Sequence, residues 1–259
     1  MSARAAQARE IGRLLLPHAL AEGMEARSLF RRRGWRTRSL RAYRNAWRSR
    51  LHLLPSDLDL TAGLVVDLGA NEGNFTSAVL GFAPTARVLA VEPAPGPCAR
   101  LEARFAGHAG VTVVAKAVAE RSGTATLHLT AHDHNSSLHA PREGMPELYE
   151  DAGWTQVDTL EVPTVSLDDL VGDEPVTVVK LDVQGAELDV LRGASRALGR
   201  TRAVLMEVTF VSHYHGDAGF QALNRHMLDA GFELVAISEP GRTRSGEATW
   251  ADACYARPA

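Results

Sequence analysis

Between Val65 and Thr76 the chain reads Val-Val-Asp-Leu-Gly-Ala-Asn-Glu-Gly-Asn-Phe-Thr, an apolar run that ends on Asp67, an acidic turn, and a helix start. Gly69 and Gly73 remove side chains where the backbone must turn sharply or approach something bound. The spacing is D-x-G-x-N-x-G and not the G-x-G-x-x-G of dinucleotide-binding turns. A pyrophosphate prefers bare amides at the positive end of a helix, so a carboxylate two residues before the first glycine disfavours a dinucleotide. A ligand that is cationic near the turn fits better. S-adenosylmethionine, with a sulfonium and an amino group, is such a molecule.

The rest of the chain supplies the sheet that this turn needs. From Leu64 onward short β-branched runs alternate with helical stretches, the pattern of a parallel sheet covered on both faces. Strands are expected near 64–68, 87–92, 111–117, 176–182, 203–208, 232–237 and 250–256, with helices near 73–82, 96–106, 186–198 and 217–230. The expected fold is therefore α/β, a parallel sheet of seven strands with helices on both faces and an N-terminal helical extension. The segment 123–165 breaks the rhythm with two further strand-like runs around a polar stretch holding Asn135, Ser136 and Ser137. An insertion at the sheet edge or over its ligand face is a natural place for specificity.

Charge divides the chain. Residues 1–50 contain thirteen Arg and three Glu against a whole-chain net charge of -3, so the remainder is strongly acidic. Apolar residues spaced by three and four among those arginines predict amphipathic helices. Pro55, Ser56 and Asp57 mark a boundary that separates a basic helical cap, 1–58, from a domain over 59–259. The run Arg31-Arg32-Arg33-Gly34-Trp35-Arg36-Thr37-Arg38 could meet nucleic acid or an anionic membrane, but a solvated helix face or turn is the plainer reading. Ile11 to Leu16 is too short to span a bilayer, and Cys98 and Cys254 have no metal-ligand spacing. A cytoplasmic protein is the simplest expectation.

Strand ends collect the candidate chemistry. Glu92 closes the second strand about one βαβ unit after the glycine turn, where it can accept hydrogen bonds from a ribose diol. Small residues at the end of the third strand, Ala117 among them, leave room for an adenine ring. Lys180 and Asp182 end the fourth strand two residues apart and hence on one face. Asp182 could contact the cofactor, orient an acceptor or act as a base. Glu207 ends the fifth strand, with His213, Tyr214 and His215 beyond it. Imidazole titrates near neutral pH, which suits His213 or His215 to remove a hydroxyl proton. Asp182, Glu207 and His213 could alternatively hold a magnesium ion. A surface loop with satisfied histidines is an equal contender.

Taken together, V-V-D-L-G-A-N-E-G-N-F-T (65–76), V-E-P (91–93), N-S-S-L (135–138), V-S-L-D-D-L (165–170) and V-K-L-D-V-Q-G-A-E-L-D-V-L-R-G (179–193) resemble the FkbM family of S-adenosylmethionine-dependent methyltransferases. The resemblance covers roughly 60–256 and leaves the arginine-rich helices outside. It implies a Rossmann-like class I methyltransferase fold with a mostly parallel sheet, and O-methylation of hydroxyls on sugars, glycolipids, macrolides or other secondary metabolites. It also implies that Asp67, Gly69, Asn71 and Gly73 surround the methionine part, Glu92 the ribose, and Asp182 the edge of the site. Gln184 departs from the Glu that the family commonly carries in this motif.

The expected activity is O-methyl transfer to a small-molecule or glycoconjugate hydroxyl, with Asp182, His213 and His215 as catalytic candidates. An RNA methyltransferase using the basic N-terminal arm and a catalytically silent cofactor-binding or assembly protein are the rivals. A homo-oligomer joined through the N-terminal helices is also open.

Overall fold

β1 (Leu64–Leu68) is buried at every position and lies at the centre of the sheet. Its residues alternate between two cores, as a strand covered on both faces requires. Leu64, Val66 and Leu68 enter the larger core, and Val65 points into the other. These relations come from a computed structural model that describes residues 26–27, 30–31 and 40–258.

The chain continues through α1 (Leu40–Arg48, preceding β1), α2 (Asn74–Phe82), β2 (Arg87–Val91), α3 (Pro95–Phe105), β3 (Val111–Val114), β4 (Ala117–Val118) and β5 (Gly123–Thr130). It then forms α4 (Met145–Tyr149), β6 (Gln156–Val165), α5 (Leu167–Val171), β7 (Val176–Leu181), α6 (Glu187–Arg192) and α7 (Ser195–Leu198). Last come β8 (Thr201–Thr209), α8 (Phe220–Asp229), β9 (Glu233–Ile237), β10 (Gly241–Arg242) and β11 (Ala248–Ala256).

The main sheet runs β10-β11-β8-β7-β1-β2-β3, with β9 paired to β11. Strands β3, β2, β1, β7 and β8 are parallel neighbours, and β11 enters antiparallel. All seven expected strands are present, and β10 adds a two-residue edge piece. Helices α5 to α8 cover one face through Leu167, Val190, Leu198 and Met227. Helices α1 and α2 cover the other through Tyr43, Ala46, Phe75 and Val79. This is the architecture of a class I methyltransferase.

Three departures from the sequence expectation matter. The third strand stops at Val114, where Lys116 N–H bonds back to the Val114 carbonyl, and Ala117–Val118 leaves to pair with β6 in a second sheet ordered β4-β6-β5. The helix expected over 186–198 is broken at Gly193, where an added Cβ would lie 2.5 Å from the Glu120 carbonyl oxygen. Most of the basic run 31–38 and the helices expected before it lie outside the described residues. Among the described residues no helix is long and apolar enough to cross a membrane.

Candidate functional site

The turn after β1 is built by two left-handed glycines and one left-handed asparagine. Gly69 has φ 69°, and a Cβ there would sit 1.8 Å from the Asp182 carbonyl oxygen, so the ends of β1 and β7 can meet only over a glycine. Asn71, at φ 47°, donates its N–H to Glu92 Oε2 at 2.9 Å. The other Glu92 oxygen accepts from Ala94 N–H at 2.8 Å, so this buried carboxylate ties the β1 and β2 turns together. Burial pushes the Glu92 carboxyl up, and the Ala94 and Asn71 amides partly offset it.

Asp67 lies beneath this turn. It is fully buried and lines no cavity; its Oδ2 accepts from the Thr76 N–H and hydroxyl at 3.2 and 2.7 Å. Gly73, the N-cap of α2, has no side chain to cap the helix, and Asp67 reaches over from the strand to satisfy the third-turn-residue amide instead. Its other oxygen faces Lys180 Nζ at 3.6 Å. Asp67 thus supports the turn from beneath through Oδ2, while Oδ1 has no hydrogen-bond partner among the described residues. Gly73 is likewise a packing position, since a Cβ would strike the Phe105 ring at 2.4 Å.

Two cavities open at this edge of the sheet. The first is lined by Gly69, Asn71, Glu92, Pro93, Ala117 and Val118 from the sheet, and by His134, Ser137 and Leu138 from the insertion, which thus lies over the ligand face. The second, about 350 Å³, lies beneath the end of α1 and is lined by Arg48, Arg50, Asn74, Lys180, Glu207, Trp250 and Asp252. Gly69, Asn71, His134 and Asp182 belong to both walls. The cavities therefore meet at the β1 and β7 ends.

Electrostatics at that junction are dominated by Lys180. Its Nζ is 3.1 Å from Asp182 Oδ2, and Gln184 Nε2 donates to Asp182 Oδ1 at 2.7 Å. Burial by itself would raise the Asp182 pKa, but the Lys180 ammonium and the Gln184 amide outweigh it and hold the carboxyl below its usual range. Burial would likewise lower Lys180, and Asp182 and Asp67 raise it instead. Both groups are thereby held charged. Gln184 adopts φ 57° and accepts from the Tyr214 hydroxyl at 2.8 Å, so its amide relays between Tyr214 and Asp182.

The histidines after β8 fall elsewhere. His213 is buried, with Nε2 2.6 Å from the Tyr149 hydroxyl and the Trp154 ring against it. Burial lowers its pKa, with Asp217 opposing. His215 is exposed, its backbone N–H bonded to the Ala140 carbonyl. Neither His213 nor His215, the two expected bases, lines either cavity; their loop latches onto the insertion, with Asp217 accepting from the His213 and Tyr214 amides. The magnesium option is not supported. His213 is committed to Tyr149 and Asp182 to Lys180, and among the described residues no group of three His, Cys, Asp or Glu side chains could hold a metal ion.

Several lining residues escaped the sequence reading. His134 stands one residue before the N-S-S-L motif, and its place over both cavities depends on how the insertion folds back. Trp250 and Asp252 carried a legible signal, because they alternate on β11 with buried Cys254 and Ala256.

A mostly parallel sheet whose glycine turn and Glu92, just after the second strand, line one cavity beside another has the architecture of a class I S-adenosylmethionine-dependent methyltransferase. The methyltransferase FkbM domain matches residues 67–234, and the chain belongs to that family. It is 28% identical over 186 residues to the 2-O-methyltransferase NoeI of Sinorhizobium fredii, a match that spans 67% of this chain and 73% of that one. It is 31% identical over 147 residues to methyltransferase 1 of Beauveria bassiana, spanning 50% of this chain and 57% of that one. Among solved structures, Aeropyrum pernix fibrillarin in complex with S-adenosyl-L-methionine aligns with a TM-score of 0.44 at 17% identity, over 82% of this chain and 76% of that one.

Proposed function

We propose that the protein transfers a methyl group from S-adenosylmethionine to a hydroxyl of a sugar, glycolipid or secondary metabolite. The observation that carries this reading is the wall shared by the two cavities at Gly69, Asn71, His134 and Asp182. A donor in the first cavity and an acceptor in the second would face each other there, and positioning two bound reactants supplies much of the rate in such transfers.

The first cavity suits the donor. Gly69 leaves backbone accessible, Glu92 retains acceptor capacity for a ribose diol beyond its two amide contacts, and Ala117 leaves room for a flat base. Asp182, kept ionised by Lys180, offers negative charge toward the amino and sulfonium end. When bound, S-adenosylmethionine supplies an electrophilic methyl group. The name of the relative NoeI, a 2-O-methyltransferase, supports oxygen as the acceptor atom.

The test is thermal. S-adenosylmethionine and S-adenosylhomocysteine at a hundredfold excess over Kd should each stabilise the protein by about 2.7 kcal/mol, raising Tm by roughly 5–10 °C. No shift with either compound would remove the central claim.

A further inference from the structure

Strand parity sets the floor of the second cavity. On the sheet face packed against α1 and α2, the buried residues are Val65 of β1, Val178 of β7, Ala203 and Leu205 of β8, and Cys254 and Ala256 of β11. Stepping by two toward the ligand edge, the same face carries Asp67, then Lys180 and Asp182, then Glu207, then Asp252 and Trp250. Three of these carboxylates are engaged: Asp67 by Thr76, Asp182 by Lys180 and Gln184, and Asp252 by Arg50 Nε at 2.8 Å. Glu207, directly opposite Asp252 in the β8–β11 register, has no hydrogen-bond or ion-pair partner among the described residues. It is recessed and lines the second cavity.

Its carboxyl is partly buried and opens onto the cavity without a protein partner, so its hydrogen-bonding capacity is available to a ligand that enters there. Resting on the function proposed above, we infer that Glu207 is the residue that binds the acceptor hydroxyl and takes its proton. The acceptor oxygen forms the new O–CH₃ bond with a lone pair while the S–CH₃ bond breaks, its electron pair going to sulfur. The hydroxyl proton passes to a Glu207 oxygen and then to solvent. Arg50 holds Asp252 away from this role, and Lys180 does the same for Asp182. The Trp250 indole, packed over Gly241, gives the cavity an apolar wall against which a sugar ring can lie.

The groups that face Glu207 are Asp182 and Lys180 from β7, Glu187 from α6, Asp252 from β11, and the Tyr149 and Tyr214 hydroxyls. Burial, followed by the Asp182, Glu187 and Asp252 carboxylates, raises Glu207 well above the ordinary carboxyl range, with Lys180 opposing. A base of that kind loses its proton as pH rises, so transfer increases with pH along a limb that belongs to this side chain.

The experiment uses the full chain. Saturation-transfer NMR measures binding of a panel of methyl pyranosides in the presence of S-adenosylhomocysteine, and methyl-labelled S-adenosylmethionine measures transfer to the same compounds. Wild-type protein should bind and label at least one pyranoside. Glu207→Gln should weaken that binding about tenfold, lower kcat about a hundredfold or more, and abolish the acid limb, with S-adenosylhomocysteine affinity unchanged within about threefold. Glu207→Asp, which keeps the carboxylate and guards against a folding defect, should retain the limb at reduced kcat. Transfer by Glu207→Gln within about threefold of wild type, or a limb that survives the substitution, would overturn the inference. So would a protein that binds S-adenosylhomocysteine yet neither binds nor methylates any pyranoside. Failure to bind S-adenosylhomocysteine would instead strike the proposed function.

Discussion

Gln184 shows how one side chain sets the charge of the site. A glutamate is common in the family at this point, yet the amide here donates to Asp182 at 2.7 Å and accepts from Tyr214, two tasks that an ionised carboxylate cannot combine. Gln184→Glu would place like charges within hydrogen-bond distance, and one of the pair would hold a proton to relieve the repulsion. S-adenosylmethionine affinity should therefore fall about tenfold near pH 8 and recover as pH drops toward about 5.5, where the new carboxyl can donate. Calorimetric titration at both pH values checks the sign. An affinity independent of pH would show that Asp182 does not depend on this amide. The sequence exposed the departure from the family pattern, but only the hydrogen bonds to Asp182 and Tyr214 reveal why an amide is used.

At the scale of elements, the link from β7 to α6 stores a pH dependence. Glu187, in the first turn of α6, is 4% exposed and accepts from Val183 N–H at 3.1 Å. Burial pushes its carboxyl up to about 7 from the ordinary 4.5, with Asp182 contributing in the same direction and turn amides opposing. A carboxyl raised in the folded state contributes stability that is complete below the unfolded pKa and lost as pH rises through the folded one. Between about pH 4.5 and pH 7 this group should therefore remove about 3 kcal/mol, at roughly 1.4 kcal/mol per unit. Glu187→Gln should flatten that part of the stability profile. Urea unfolding at several pH values reads the difference, and parallel profiles for the two proteins would exclude Glu187 as its source.

At the scale of the whole molecule, an ion pair joins the two ends of the described chain over the second cavity. Arg50 leaves α1 with φ 58°, a conformation that costs a non-glycine residue free energy, and reaches Asp252 on β11. The pair fastens the end of α1 over the second cavity. Arg50→Gly removes the guanidinium while easing the backbone, and Asp252→Asn, which removes the charge from the other side, should reproduce its effect if the pair is the cause. Amide exchange over residues 40–54 should accelerate about tenfold with β1 to β3 unchanged. Uniform exchange across the chain would show that Asp252 does not hold the cap. Burial raises the Asp252 carboxyl even with Arg50 beside it, so the fastening should also weaken in acid as that carboxyl takes up a proton.

Local sequence determined the fold and half of the site. Alternating apolar runs dictate a sheet covered on both faces, and the D-x-G-x-N-x-G turn with Glu92 one βαβ unit later marks the cavity proposed for the donor, because strand period and glycine conformation are local properties. Tertiary structure decided which charges are free. Asp67 and Glu207 look alike as acids near strand ends, yet one is sealed under α2 by Thr76 and the other faces a cavity without a partner. The placing of His213 and His134 has the same origin: one is packed against Tyr149 and Trp154, and the other is carried to the junction by an insertion folded back over the sheet. Whether a polar side chain supports the fold or meets a ligand depends on its distant neighbours, and those are set by packing across strands and not by spacing along the chain.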